Sequence, residues 1–408
     1  YGFSIILNNK NYLFVDGRYT LQAKKQSRNF FNIITIPNQM PRNVLKKTNY
    51  VIGYDPRLLT QWFLKIFFNN KKFILKPVEG NLIDKIWKRK SKDENKRFYA
   101  LPKNSVGEDY IKKINRVTEN LKNKDADFQF ISSSENNAWL FNIRGEDSKY
   151  SPIPHCYGLI EKNKKIKLFC NLKKVSLSLR KKINKVEFID INNIDKILSK
   201  IKEKKFIIDE HSCSIHFEKI IKKNNIILNC KDPIYYLKAI KNSKEIKNLK
   251  SAHICDGSAL TKYLFWLKKN FYKKKITEIS ASKKLFDFRK KNKTFKFLSF
   301  PTISGTGPNG AIIHYQATKK SNRVLKKGDV YLVDSGGQYE FGTTDVTRTI
   351  SLKNSSKRVK NIFTRVLKGH IAVSNFQLRD NTSGSKIDSA ARKYLQEIGL
   401  NYSHGTGH

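Results

Sequence analysis

The feature that most constrains this chain is a set of three glycine-flanked segments in its last part, each carrying a carboxylate or an imidazole. They are GPNGAIIHY at 307–315, DSGGQYEFGTTDVTRTI at 334–350 and HGTGH at 404–408. They lie at the ends of apolar runs typical of β-strands. Strands hold such side chains rigidly, and a rigid set of carboxylates and imidazoles can bind a metal ion. The pattern therefore predicts a metal site on a sheet.

The middle segment predicts two strands joined by a turn. The apolar run 330–333 ends in Asp334, the turn falls at 340–342, and a second strand runs through 346–350. Asp334 and Asp345 lie on either side of that turn, so we expect them to face each other across an antiparallel pair. Two carboxylates at that separation repel unless a cation lies between them. The alternative is a pair of solvated aspartates near a turn.

The four motifs GPNGAIIHY, DSGGQY, GTTDVTRT and HGTGH resemble, in this order, those of the pita-bread metallopeptidases. Within that group they are most similar to the Xaa-Pro aminopeptidase (aminopeptidase P) branch. The separations between His314, Asp334 and Asp345 also fit the branch. The resemblance implies release of the N-terminal residue from peptides with proline in the second position, by a water activated at a dinuclear metal site.

Residue roles follow from the resemblance, motif by motif. It implies that Asp334 chelates one metal, that Asp345 bridges two metals, and that His408 ligates the other. His314 and His404 match histidines that lie near the substrate and assist catalysis. The expected cofactor is a pair of divalent ions, with manganese first and zinc or cobalt as alternatives. The family also uses two glutamates further along the chain, so we expect the catalytic domain to be incomplete at its C-terminus.

The fold class is expected to be α/β (α+β). Alternating strand-like and helix-like patterns fill the first part of the chain. The resemblance divides the chain into a creatinase-like N-terminal domain at 1–103 (its start missing), a second creatinase-like domain at 104–231, and a pita-bread catalytic domain at 232–408. Locally, Asp55 and Pro56 predict a helix opening, and Thr277 with Glu278 predicts another.

Other readings of the chain remain open at this point. Methionine aminopeptidases lack such long N-terminal domains, and prolidases usually carry a single one. A non-catalytic pita-bread binding protein or an inert truncated fragment would also resemble the family. Because Asp334, Asp345 and His408 are all present, the sequence favours an enzyme.

The net charge of +47 raises the question of nucleic-acid binding. The lysines are spread along the whole chain, and abundant Lys, Asn, Ile, Phe and Tyr are typical of AT-rich codon usage. We therefore expect no specific nucleic-acid partner. No apolar run is long enough to span a bilayer, and no cleavable signal opens the chain, which begins at Tyr1. The expected partners are Xaa-Pro peptides and a second copy of the chain.

Five scattered cysteines without CxxC pairs predict reduced thiols and a cytoplasmic location. One short segment contains His211, Cys213 and His216, and such a cluster is a candidate metal site. No second ligand pair is nearby, so structural roles are favoured for all three residues.

Overall fold

A computed structural model describes residues 2–45, 50–69, 73–87 and 96–408. The α-helices in this part are α1 (Thr20–Ser27), α2 (Pro41–Val44), α3 (Gln61–Phe68), α4 (Leu82–Ile86), α5 (Lys103–Val106), α6 (Tyr110–Asn123), α7 (Ser134–Leu140), α8 (Leu177–Lys182), α9 (Ile194–Lys200), α10 (Ile215–Lys222), α11 (Ile234–Ala239), α12 (Ser243–Asn270), α13 (Glu278–Lys290), α14 (Lys357–Ser374) and α15 (Gly384–Gln396). Among the described helices, none has the length and apolar character needed to cross a membrane.

The strands connect these helices in a mixed α/β order. They are β1 (Gly2–Ile6), β2 (Asn11–Asp16), β3 (Asn32–Ile36), β4 (Tyr50–Tyr54), β5 (Phe73–Pro77), β6 (Tyr99–Ala100), β7 (Phe128–Ile131), β8 (Ile143–Arg144), β9 (Cys156–Glu161), β10 (Ile166–Cys170), β11 (Val186–Asp190), β12 (Lys205–Ile208), β13 (Ile226–Asn229), β14 (Phe295–Leu298), β15 (Ile303–Thr306), β16 (Val330–Ser335), β17 (Gly337–Tyr339), β18 (Gly342–Thr343) and β19 (Val346–Ser351). The expected mixed α/β fold class is confirmed.

The chain forms two compact units. The first contains Tyr1–Met40, His253–Gly337 and Thr343–His408, and the second contains Pro41–Ala252 and Gln338–Gly342. The N-terminal forty residues therefore fold together with the C-terminal part that carries the three glycine-flanked segments. The division into domains at 1–103, 104–231 and 232–408 stays a prediction.

The second unit is built on a six-stranded mixed sheet in the order β11-β10-β9-β7-β12-β13. Strands β7, β12 and β13 run parallel to one another, and β9 is antiparallel to both of its neighbours. Consecutive residues of these strands point to opposite faces. Ile131 and Ile207 join one apolar cluster, whereas Phe130 and Phe206 join another. The sheet is therefore buried on both faces, which explains why its strands are almost continuously apolar.

The first unit begins with a β-hairpin. β1 and β2 pair antiparallel, with Phe3 opposite Phe14, and β3 then pairs parallel with β2. Phe14 is completely buried and stacks on Phe3 with ring centroids 4.9 Å apart. The apolar runs 3–7 and 12–15, joined by a turn signal at 8–10, predict this hairpin from the sequence, and it is present. The turn after β2 leads directly into α1.

The core of the first unit lies between α12, α13 and the sheet β15-β16-β19. Leu267, Leu285 and Val333 are fully buried in it. A completely buried ion pair joins the helices to the sheet. Arg289 donates to both oxygens of Asp256 at 2.6 and 2.9 Å and to the Ser335 hydroxyl at 3.0 Å. The contact with Ser335 therefore anchors strand β16, which carries Asp334, to the buried Arg289.

The predicted helix opening at Asp55 is wrong. Asp55 closes a turn by accepting a hydrogen bond from the Arg57 backbone at 2.8 Å, and α3 begins only at Gln61. Thr60 caps that helix, because its hydroxyl accepts a hydrogen bond from the Phe63 backbone at 3.2 Å. The opening predicted at Thr277 is correct: Thr277 and Ser280 form a capping box at the start of α13.

Candidate metal centre

Three side chains predicted as metal ligands meet in the first unit. Among the residues that the structure describes, Asp334, Asp345 and His408 form a group whose ligand atoms all lie within 4.8 Å of one another. His408 Nε2 is 3.1 Å from Asp345 Oδ1. Asp345 and His408 are half exposed, so solvent reaches the group from their side. Two carboxylates and one imidazole in this arrangement can hold a divalent cation.

The two aspartates come together by a different register from the one predicted. β16 and β19 pair antiparallel, but Asp334 lies opposite Thr347, not Asp345. The short strands β17 and β18 lie in the connection and shift the centre of the turn. Asp345 precedes β19 by one residue and is two positions from Thr347, so it is a diagonal neighbour of Asp334. Diagonal side chains on one sheet face are still within reach of each other.

Close backbone contacts fix Asp345. Gly336 lies against the Thr344 carbonyl, and a Cβ atom added to Gly336 would be 1.9 Å from that oxygen. Thr344 also exchanges hydrogen bonds with Gly337, and the Ser299 hydroxyl donates to the Thr344 carbonyl at 2.8 Å. Only glycine permits this approach at position 336. Gly336, two residues after Asp334, therefore has a structural role in aligning the Asp345 carboxylate.

Asp334 is the least exposed of the three. Its Oδ1 atom is buried and has no hydrogen-bond partner. Burial raises the pKa of Asp334, and the nearby negative charge of Asp345 adds to this rise. A buried carboxylate oxygen without a partner is costly, and a cation would satisfy it. The donor set and this unsatisfied oxygen both fit a divalent metal ion.

Helix α15 holds the segment that carries His404 and His408. Asp388 accepts hydrogen bonds from the Thr406 backbone at 2.9 Å and from the Thr406 hydroxyl at 2.6 Å. Arg392 pairs with Asp388 and donates to the Tyr402 carbonyl at 2.6 Å and to the His404 carbonyl. This pairing lowers the pKa of Asp388 well below its usual range, so the carboxylate stays ionised. Sequence reasoning missed both residues.

His314 lies in a loop held by one buried carboxylate. Glu278 is completely buried and accepts hydrogen bonds from the Thr306 backbone at 2.8 Å, the Arg323 backbone at 3.0 Å and the Tyr315 hydroxyl at 2.9 Å. The sequence assigned Glu278 only to a helix start. Its side chain instead ties α13 to both ends of the loop on either side of His314.

His314 also contacts the turn between β2 and α1. The Tyr19 hydroxyl is 2.6 Å from His314 Nδ1, and the two rings meet edge to face. Burial lowers the pKa of His314, and the positive charge of Arg18 acts in the same direction, whereas the Asp16 carboxylate opposes it. No local pattern in the sequence indicates the contact with Tyr19, because the two residues are 295 positions apart.

The second group of histidines has structural contacts. His216 Nε2 is 2.9 Å from Asp195, and the His211 ring packs on Trp62 at 4.9 Å. Cys213 is buried, and burial raises its pKa. All five cysteines are free. These contacts agree with the structural roles favoured for His211, Cys213 and His216.

Two family models match the chain. Residues 247–408 match metallopeptidase family M24, and residues 88–245 match the creatinase/prolidase N-terminal domain. The chain is 36% identical along its whole length to a probable Xaa-Pro aminopeptidase P of Laccaria bicolor, covering 66% of it. It is 33% identical to Xaa-Pro aminopeptidase 1 of Dictyostelium discoideum, covering 68% of it. The chain thus spans about two thirds of the length of these relatives.

A solved structure shares the fold. The X-prolyl aminopeptidase of Caenorhabditis elegans, described as a cytosolic enzyme with a di-nuclear active site, superposes with a TM-score of 0.92 at 28% identity. The match covers 100% of this chain and 69% of that one. It includes both the creatinase-like part and the pita-bread part that the motifs predicted. The chain belongs to the Xaa-Pro aminopeptidase family of metallopeptidases.

Proposed function

We propose that the protein is a metal-dependent aminopeptidase that releases the N-terminal residue from peptides with proline in the second position. The observation that carries this proposal is the convergence of Asp334, Asp345 and His408, with one buried Asp334 oxygen left without a partner. The relatives named above, all Xaa-Pro aminopeptidases, supply the substrate class.

Each residue of the site has a proposed task. Asp334 would hold one divalent ion, Asp345 would hold both ions, and His408 would hold the other. When bound, the ions supply a water molecule of lowered pKa as the nucleophile. His314 and His404 donate hydrogen bonds to the substrate carbonyl oxygen while negative charge develops on it. Arg392 and Asp388 hold the His404–His408 segment in place for these tasks.

We propose two divalent ions per chain, with manganese preferred over zinc or cobalt. Two of the three donors are carboxylates, which suit a hard ion such as manganese, whereas a single imidazole gives zinc less advantage. Elemental analysis of the protein after dialysis against each metal tests this order. Stoichiometric zinc with no retained manganese would overturn the preference.

The activity is tested with purified full-length protein, manganese and a pair of matched peptides. One peptide carries proline in the second position, and the other carries alanine there. We expect release of the first residue from the proline peptide alone. A prolyl nitrogen lies in a ring and carries no hydrogen, so a site shaped for that ring can select proline over alanine. The matched variant Asp345→Asn should release nothing. If the protein binds manganese and the proline peptide still remains uncleaved, the proposal is wrong.

The same preparation separates the alternative functions. A non-catalytic binding protein or an inert fragment would hold no stoichiometric metal, whereas the enzyme retains it. We also propose a homodimer, which light scattering coupled to gel filtration tests through the molar mass. A cytoplasmic location is proposed because all five cysteines are free and the C. elegans relative is described as cytosolic. Fractionation of cells tests the location.

A further inference from the structure

The turn between β2 and α1 is rigid. Arg18 donates to Asp16 through its backbone N–H at 2.9 Å and through its guanidinium at 2.9 and 2.8 Å. The Tyr19 backbone N–H donates to the Asp16 carbonyl at 3.0 Å, and the Ala23 N–H donates to the Tyr19 carbonyl at 2.7 Å. The backbone of Tyr19 is therefore held on both sides, and its side chain points from a fixed position.

The same turn is pressed against the segment before His404. A Cβ atom added to Gly17 would lie 2.1 Å from the Ser403 carbonyl oxygen. This contact leaves no room for the turn to move toward Ser403. The turn thus touches both histidine-bearing segments: Gly17 lies against the 404–408 side, and Tyr19 reaches His314.

His314 itself has a strained backbone. Its φ is 55°, a left-handed conformation uncommon for residues other than glycine. Such a conformation persists only where the surroundings fix it. The next residue, Tyr315, is anchored by Glu278 at 2.9 Å and by the Ser321 carbonyl at 3.0 Å. The loop therefore presents the His314 ring in one direction, where the Tyr19 hydroxyl meets Nδ1.

The chemistry of this contact selects one tautomer. A phenol is a better donor than acceptor, and an unprotonated imidazole nitrogen is a good acceptor. The Tyr19 hydroxyl oxygen lies 2.6 Å from His314 Nδ1, and from these preferences we infer that the hydroxyl is the donor and Nδ1 the acceptor. A neutral ring that accepts at Nδ1 carries its proton on Nε2. Burial lowers the pKa of His314, which favours this neutral ring near neutral pH.

We propose that Tyr19 is a positioning residue for His314, whose ring it holds in the tautomer with the proton on Nε2, so that Nε2–H faces the reacting carbonyl. Only the statement that Nε2–H faces a substrate carbonyl rests on the proposed function. The tautomer and its cause concern this chain alone. The turn between β2 and α1 thereby takes part in the site through Tyr19.

The test is the tautomer itself, measured by long-range ¹H–¹⁵N NMR on the metal-free chain labelled at histidine. The variant His314→Gln identifies the signals of His314. We expect a single Nε2–H tautomer in the parent chain and a mixture of both tautomers in Tyr19→Phe. An unchanged tautomer in Tyr19→Phe, or an Nδ1–H tautomer in the parent, would overturn the proposal.

Tyr12→Phe is the matched control, because it removes a hydroxyl from the neighbouring strand β2. It should leave the His314 signals as they are. Urea unfolding of both variants shows whether either loses its fold. A change of tautomer in both variants alike would refute a specific role for Tyr19.

Kinetics of the active protein add a second readout. Loss of one neutral hydrogen bond corresponds to about a tenfold fall in kcat, and we expect KM to stay within about twofold. An effect on KM alone would contradict a positioning role. If the parent protein cleaves no peptide, the proposed function fails, whereas the NMR measurement still decides the role of Tyr19.

Discussion

Asp388 accepts two hydrogen bonds from Thr406, the residue midway between His404 and His408. One carboxylate of α15 thus sets the position of a segment that carries two histidines of the site. Asp388→Asn keeps the shape but replaces one acceptor oxygen by a donor. We expect manganese to bind at least about tenfold more weakly, because groups that orient metal ligands have effects of this size.

Isothermal titration with manganese measures this change. Asp380→Asn, on an exposed position of the preceding turn, is the matched control and should bind as the parent does. Equal affinities of Asp388→Asn and the parent would mean that the segment is held without Asp388.

Manganese should stabilise the folded chain, because a ligand that binds only the folded state raises its free energy of unfolding. At a free concentration of 100 times Kd the gain is about 2.7 kcal/mol. Asp345→Asn should lose this gain, since Asp345 lies 3.1 Å from His408 and joins the two sides of the group. Thermal unfolding with and without manganese measures it. A full manganese shift in Asp345→Asn would exclude this residue as a ligand.

Glu278→Gln should destabilise the first unit by about 1–3 kcal/mol. Each Glu278 oxygen accepts a backbone N–H, from Thr306 on one side and Arg323 on the other. Whichever way the glutamine amide turns, its NH₂ group faces one of these donors. Urea unfolding measures the loss. The exposed Glu119→Gln should change stability by less than about 0.5 kcal/mol, and an equal effect of both variants would contradict the prediction.

The same substitution at two glycines should have opposite effects. Gly336→Ala places a methyl group 1.9 Å from the Thr344 oxygen, and we expect a loss of about 1–3 kcal/mol in stability. Gly257 lies exposed in α12 with no atom within 4 Å of an added Cβ. Gly257→Ala should therefore stabilise the chain by about 0.5–1 kcal/mol through helix propensity. Urea unfolding measures the change in the free energy of unfolding for each variant. Changes of the same sign in both variants would refute the argument.

Lys113 predicts a pH dependence in the second unit. Its Nζ is buried, donates to Asn142 at 2.7 Å and to the Trp139 carbonyl at 2.9 Å, and burial lowers its pKa to about 8 from 10.5. Between these two values the unfolded chain keeps a proton that the folded chain has released. The contribution of Lys113 to stability therefore rises as pH increases from 8 to 10.5, by an amount on the order of 3 kcal/mol.

Urea unfolding at both ends of this pH range measures the effect as a difference between the parent and Lys113→Met. The difference should grow with pH in favour of the parent. Lys112→Met, at the exposed neighbouring position, should show no such trend. A constant difference for Lys113→Met would mean that its pKa is ordinary in the folded chain.

The sequence predicted that Asp334, Asp345 and His408 would come together, and their ligand atoms do lie within 4.8 Å of one another. Their roles as metal ligands stay a prediction. The register of the two aspartates could not be predicted, since the short strands β17 and β18 lie in the turn and no periodicity marks them. Individual elements such as the first hairpin followed from two apolar runs joined by a turn signal. The late start of α3 did not, because Asp55 and Thr60 both suit a helix cap.

The supporting residues escaped prediction for another reason. Asp388 and Arg392 look like ordinary polar positions of an amphipathic helix, and Glu278 looks like a first-turn acid. Their partners lie far away in the sequence or across a loop, where local pattern carries no information. Only the three-dimensional packing shows that these charged side chains hold the histidine-bearing segments.

The contact between Tyr19 and His314 joins residues 295 positions apart. Ordering it requires closure of a very long loop, and the entropy cost of closure grows with loop length. Contacts of this kind form late and slow the folding of a chain. During synthesis on a ribosome, Tyr19 emerges long before His314, because residues 41–252 of the second unit lie between them in the sequence. The contact between Tyr19 and His314 therefore cannot form in a growing chain until residue 314 has been synthesised.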